Sequence, residues 1–211
     1  MFTAVLSKNA QDALALLGKS KVLPDKTYLA GGSALALHFG HRVSEDFDFF
    51  SRCHFQGKII AKKLNTIGSF KLQESAEKDT LLGLFNNTKF SLFLYDYPLV
   101  FKPVLFQNVL LADPKDIMAM KLAAVMDRGT KKDFIDLYFL SKKRISIDDG
   151  FDYYERKYKA LSNNIYSLIK GLSYFDDAED TDMPRMIEST DWQEVKKFFQ
   201  KEVVRLANKY L

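Results

Sequence analysis

Cysteine is all but missing from this chain, with Cys53 the only one in 211 residues. A single thiol excludes an internal disulfide and a zinc site built from cysteines, and it makes the cytoplasm the expected compartment. Long apolar runs are missing as well. The opening "MFTAVLSKNAQDALALLGKS" is broken by polar residues too often for a signal peptide, and no segment approaches the roughly 20 apolar residues of a membrane span, so no membrane association is expected. Dense lysine and arginine clusters are also absent. The formal charge of +4 and the pI near 8.9 permit an anionic partner without demanding one. The sequence shows no internal repeat and no low-complexity segment, and the acidic "DDAEDTDMP" at 176–184 reads as an exposed loop.

What the chain does have is 47% hydrophobic residues, enough for a substantial core. Val5, Leu6, Ala10, Leu14 and Leu17 recur at helical spacing and predict a first helix over about 3–17, which "SKVLPDK" ends. "TYLAGG" reads as a short buried strand closing in a glycine turn. "SALALHFG" reads as a short helix with Ser33 at its start and Gly40 just past its end, and "EDFDFFS" as a second strand. Partner strands are predicted in "FKLQES", "TLLGLF" and "KFSLFLY", the last two joined by an Asn86-Asn87 turn because asparagine tolerates positive φ. After "YDYPLVFKPVLFQNVLLA" the pattern turns helical, with Asp113 as N-cap, Pro114 at the first helical position and Asp116 at the third. Further helices are predicted in "KKDFIDLYFLSKK", "DDGFDYYERKYKA", "NIYSLIKGLSYF" and "DWQEVKKFFQKEVVRLANKYL". The expected class is α+β: a small mixed sheet in residues 1–112 packed on a helical domain over 113–211.

The chemistry concentrates in "LAGGSALALHFGHRVSEDFDFF". Side chains alternate along a strand, so Asp46 and Asp48 share a face. Two carboxylates a few ångströms apart call for a cation, and Mg²⁺ takes oxygen ligands of this kind while also holding phosphates. At the other end, Gly31 and Gly32 let backbone approach a ligand, and Ser33 opens a helix whose free N–H groups favour phosphate. A nucleoside triphosphate would link the two ends. The plainer readings are a common Gly-Gly-Ser turn and a solvated pair of aspartates.

Glycine-serine, a short helix and then "DFD" on a strand resembles the polymerase-beta-type nucleotidyltransferase superfamily. With the later "DIMAMKLAAVMDRGTKKDFIDLYFL", the stretch closely resembles the AbiEii/AbiGii family of abortive-infection nucleotidyltransferases over about 28–140. That resemblance implies a nucleotidyltransferase-type first half, Mg²⁺-dependent binding of a nucleoside triphosphate, and transfer of a nucleotide to RNA or protein. It also implies the toxin component of a toxin–antitoxin or phage-defence system, with a cognate antitoxin protein as partner. Carried onto this chain, Gly32 and Ser33 beside Gly31 contact the phosphates, Asp46 and Asp48 hold the metal, and Lys121 reaches the phosphates or base. Arg128, Lys132, Asp133 and Asp136 match the family's second signature, although Lys132 and Asp136 are also spaced for a surface ion pair of about 0.3 kcal/mol. Lys121 interrupts "IMAMKLAAVM", where a lysine either snorkels or reaches into a cleft. The cleft reading predicts that Lys121→Met weakens triphosphate binding and leaves stability little altered. Arg42, always charged and close to the aspartate strand, is a further phosphate candidate.

One position departs from the superfamily. Its usual third carboxylate, set on the next inward-facing strand, falls at Ser91, and a serine at ordinary pKa cannot serve as general base. Transfer therefore competes with an alternative, a catalytically silent nucleotide-binding or protein-interaction module on the same fold. Asp96 is expected to face away from Ser91, as a turn residue before Tyr97-Pro98. His38 and His41 flank Gly40, and with Cys53 and His54 they match no zinc spacing, so helix capping and surface exposure are expected of them. The 18 Phe and 10 Tyr read mainly as core, and no nucleic-acid surface is read from their order.

Overall fold

The computed structural model describes residues 1–73 and 77–211, and its chain divides into two units, Met1–Asp113 and Pro114–Leu211. In the first unit a 3-10 turn at Thr3–Val5 precedes α1 (Lys8–Ser20). The hydroxyl of Ser7 accepts the Ala10 N–H at 3.3 Å and so caps α1. The apolar periodicity that predicts one helix from residue 3 therefore spans a cap, and the helix starts later than expected. β1 (Tyr28–Ala30), α2 (Gly31–Phe39) and β2 (Phe47–Ser51) follow. After them come α3 (Gly57–Ile67), β3 (Phe70–Leu72), β4 (Thr80–Phe85), β5 (Thr88–Leu94), β6 (Val104–Phe106) and β7 (Val109–Leu111).

The strands form one mixed sheet in the order β3-β4-β5-β2-β1-β7-β6. β1 runs antiparallel to β2 and parallel to β7, while β2 runs parallel to β5. The predicted turn at Asn86 and Asn87 is present, with φ of 47° and 63°. Gln107 and Asn108, at 48° and 63°, make a second such hairpin, β6 to β7, which the sequence reading did not assign. Of the predicted strand "FKLQES", β3 covers Phe70–Leu72, and Glu74 and Ser75 lie outside the described residues.

Alternation sorts the central strands into two faces. Phe47, Phe49, Leu81, Phe85, Phe90 and Leu92 are buried on one face, where the Phe49 and Phe90 rings meet at 5.4 Å and those of Phe70 and Phe90 at 5.8 Å. Each such ring contributes about 2–3 kcal/mol by leaving water. Asp48, Phe50, Ser91 and Phe93 point to the opposite face and are half-buried.

The second unit is helical: α4 (Pro114–Asp127), α5 (Lys131–Lys142), α6 (Ile147–Tyr158), α7 (Leu161–Ser173), α8 (Asp176–Glu179) and α9 (Trp192–Tyr210). The four-residue α8 lies in the acidic stretch expected to be a loop. Burial runs almost all the way round α5, and the Phe134 ring lies 5.1 Å from Phe175, 5.2 Å from Phe199 and 5.8 Å from Trp192. Asp116, in the first turn of α4, accepts from the Lys157 ammonium of α6 at 3.0 Å, and both side chains are fully buried. Among the described residues no helix is long and apolar enough to cross a membrane.

A buried ammonium deprived of its carboxylate is costly, so Asp116→Ala is expected to lower stability by about 3–5 kcal/mol in denaturant unfolding. Asp12→Ala breaks the exposed Lys8–Asp12 pair, which is 2.9 Å long, and should cost under about 0.5 kcal/mol. Similar losses for the two variants would rule out a structural role for the buried pair.

Candidate functional site

The chain leaves β1 and enters α2 through Gly31, whose φ of +65° suits glycine and strains other residues. Space enforces the same choice, because a Cβ on Gly31 would lie 2.9 Å from the Asp48 carboxylate oxygen Oδ2. At Gly32 a Cβ would lie 2.2 Å from Nη2 of Arg42, a side chain only 3% exposed. The gap over this turn, which the sequence reading gave to a ligand, is thus partly filled by the protein's own Asp48 and Arg42. Because Gly31 begins the helix, Ser33 is its third residue and not its first. Ser33 is buried. Its hydroxyl donates to the backbone carbonyl of Asp46 and lies 2.9 Å from the hydroxyl of Ser44.

Asp46 immediately precedes β2 and Asp48 is its second residue; both are half-buried while Phe47 between them is fully buried. The Asp48 carboxylate approaches the amino end of α2 at Gly31, and the Asp46 backbone carbonyl meets Ser33 in the first turn of the same helix. Asp48 sits mid-sheet, in register with Ala30 on β1 and with Ser91 on β5. Residues directly opposite in adjacent strands point the same way, so the Ser91 hydroxyl stands on the face that carries the acids. Asp96 lies beyond the end of β5 and is exposed. Among the described residues no group of three or more His, Cys, Asp or Glu could hold a metal ion.

Neither His38 nor His41 caps α2 with exposed polarity as expected. His38 donates from Nε2 to the Ala112 carbonyl at 3.0 Å, and burial pushes its pKa down. His41 is fully buried, with its ring edge toward Phe39 at 6.3 Å. His54 is exposed and pairs with Asp79 at 2.7 Å.

The residues of the second signature meet within the second unit. The Lys121 ammonium, on α4, reaches Asp133 at 2.8 Å and Asp136 at 2.7 Å, both on α5. Asp133 also accepts from Arg128 Nε at 3.1 Å, Arg128 Nη2 at 3.3 Å and the Thr130 hydroxyl at 2.7 Å. Burial pushes the Asp133 carboxyl up, but the Lys121 ammonium and the Arg128 guanidinium outweigh it and hold the group well below the usual carboxylate range. Asp136 is fully buried beside Lys121, which replaces the surface pair with Lys132 suggested by spacing; Lys132 itself is exposed. Arg128 keeps 61% of its side chain exposed while Asp133 fixes two of its nitrogens. Thr130 and Ser44 complete these arrangements, and only the known positions of their partners could have found them.

With both clusters in place, the likeness to other proteins can be stated. The profile of the family described as "Nucleotidyl transferase AbiEii toxin, Type IV TA system" matches residues 15–82 and 95–207. The chain belongs to this family. The unmatched residues 83–94 include Ser91. The uncharacterized protein aq_aa25 of Aquifex aeolicus is 37% identical to this AbiEii-family chain over 209 residues, covering 94% of it and 96% of the relative. JHP933 from Helicobacter pylori shares the fold at 21% identity and a TM-score of 0.55, covering 97% of this chain and 94% of that one. MenT4, a nucleotidyltransferase toxin from Mycobacterium tuberculosis, shares it at 13% identity and a TM-score of 0.58, covering 95% and 86%.

The buried network reverses the stability expected for Lys121→Met. Methionine would leave Asp133 and Asp136 without that ammonium, and a loss of about 3–5 kcal/mol is expected in denaturant unfolding; unchanged stability would exclude the ion pairs. The Asp133 carboxyl also sets a pH dependence. Its folded pKa lies below its unfolded value of about 3.9, so its stabilisation is complete above that value and is lost as pH falls toward the folded one. Asp133→Asn should flatten the fall in stability between about pH 5 and 3, read by unfolding at stepped pH.

Proposed function

We propose that this AbiEii-family protein binds a nucleoside triphosphate with Mg²⁺ and transfers a nucleotide from it, acting as the toxin of a toxin–antitoxin or phage-defence pair with a cognate antitoxin protein. The observation that supports the reading is the approach of the Asp48 carboxylate to the Gly31 turn, with the Asp46 backbone carbonyl held by Ser33 at the same end of a nine-residue helix. Backbone N–H groups of Gly31 and Gly32 receive the phosphates there, aided by the positive end of the helix dipole. Ser33 acts as a positioning residue. Its hydroxyl is committed to Asp46 and Ser44, so it orders the acid-bearing segment and leaves phosphate contact to the backbone. Arg42, buried over Gly32, supplies fixed positive charge under the turn.

The donor set suits Mg²⁺ carried in by the triphosphate: two carboxylates give part of an oxygen shell whose remainder is water and phosphate oxygen. When bound, the ion neutralises charge on the transferring phosphate. Asp46 and Asp48 are the residues that would hold it. In the second unit, Lys121, Asp133 and Asp136 form one buried electrostatic unit, and its outlet to solvent is Arg128, whose fork suits a phosphate. Lys121 acts through this network, and Lys132 on α5 offers a second, solvated cation.

A second reading, a nucleotide-binding module without transfer, is favoured by Ser91, which is on the acid face and cannot take a proton from an attacking hydroxyl at ordinary pKa. Incubation with α-labelled triphosphates, Mg²⁺ and total RNA or protein separates the two, since only the first reading yields label on an acceptor. Asp46→Asn with Asp48→Asn is nearly isosteric. It should leave the fold intact and abolish the Mg²⁺-dependent part of triphosphate binding, measured by calorimetry with and without the ion. Binding that keeps its Mg²⁺ dependence in this variant would remove the acid pair from the site.

A further inference from the structure

Behind Asp48, on the other side of the sheet, lies a second concave site. Phe49 follows Asp48 on β2 and projects to the opposite face, where it borders a cavity of about 200 Å³. The end of α1, the turn at 21–27 and the β6–β7 hairpin close the remaining sides. A Cβ on Gly18 would lie 1.9 Å from the Gln107 carbonyl oxygen, so α1 and the hairpin are already in contact and fix that wall. Leu17, Leu23, Phe49 and Val109 make the interior apolar.

The polar groups of the cavity are not those that folding requires. Lys21 and Lys26 stand exposed at the rim with Asp25, and among the described residues none of the three joins an ion pair. Both lysines hold left-handed backbone, with φ of 51° and 58°. Glycine or asparagine adopts that conformation at less cost, as Asn108 does across the cavity at 63°. Folding alone therefore does not ask for lysine at either position. In the wall, the Thr27 hydroxyl is buried and has no hydrogen-bond partner among the described residues. A buried hydroxyl left unpaired is unfavourable until a ligand completes it.

We infer that this cavity binds a small organic carboxylate with an aromatic or branched apolar body. The body lies against Phe49 and Leu23, and the carboxylate takes the Lys21 and Lys26 ammoniums and the Thr27 hydroxyl. An apolar cavity of about 150 Å³ accepts benzene, so this one suits a ring with a short arm. Two unpaired cations against one acid favour an anion over an amine. The site faces away from Asp46 and Asp48, and nothing in it depends on nucleotide transfer.

The test titrates the full-length, ¹⁵N-labelled protein with phenylacetate, its neutral isostere phenylacetamide and the cation benzylamine. Phenylacetate should bind with a Kd on the order of 1 mM or tighter, the range open to a ligand of this size, and shift the amides of Gly18, Thr27 and Val109. Phenylacetamide should bind about fivefold more weakly, and benzylamine more weakly still. Lys21→Gln with Lys26→Gln should bring phenylacetate and phenylacetamide within about twofold of each other and leave thermal unfolding unchanged. Thr27→Val removes a hydroxyl that has no partner, so stability should hold or rise while phenylacetate affinity falls about tenfold. Asp46→Asn with Asp48→Asn should bind phenylacetate as the parent does. Lys58→Gln with Lys62→Gln, on the exposed side of α3, removes the same charge elsewhere and should leave the preference for carboxylate intact. Equal affinity of the parent for phenylacetate and phenylacetamide, or shifts confined to other parts of the chain, would overturn the inference. So would the absence of saturable shifts at about ten times the expected Kd, or loss of the carboxylate preference in the Lys58/Lys62 variant.

Discussion

The hydroxyl of Ser33 ties the third residue of α2 to the backbone of Asp46, and that bond makes the strand-to-helix turn and the acid-bearing strand one unit. Two carboxylates on one face repel, and a free loop would relieve the repulsion by swinging Asp46 away. Here the backbone of Asp46 is tethered at its carbonyl, and Asp48 is held in the ladder between β1 and β5. The cost of that arrangement is met by burial of Phe47 and Phe49 on the opposite face. The alternation that presents the acids is the same alternation that anchors them.

Features set by neighbours along the chain were legible in the sequence. Asn86 and Asn87 turn where positive φ is wanted, and Asp48 stands on the face opposite Phe47 and Phe49 because strand period is a local property. Gln107 and Asn108 carry the same turn chemistry, but the runs on either side form only three-residue strands, too short for alternation to declare them. Ser33 was misread because a polar residue before an apolar run usually marks a helix start. Glycine at positive φ let the helix begin two residues earlier and turned the hydroxyl inward. Asp136 was assigned to Lys132 by i,i+4 spacing, yet its cation, Lys121, stands on another helix. Sequence spacing cannot see that partner.

The two units treat charge differently. In the helical unit, cations are buried against carboxylates, Lys157 with Asp116 and Lys121 with Asp133 and Asp136, so removal of either partner is expensive. Such networks favour particular helix pairings, here α4 with α5 and α4 with α6. Asp133 illustrates the consequence: a carboxylate with four donors around it is a poor proton acceptor, and its value lies in fixing Arg128. In the sheet unit Asp46 and Asp48 are half-buried.

Ser91 occupies the register position opposite Asp48, and on the same face Leu82 lies opposite it on β4 while Lys89 and Phe93 flank it on β5. A carboxylate there would raise the negative charge of the face and extend the acid site toward β4. A serine stops the negative charge at β2 and leaves the rest of the face apolar and positive.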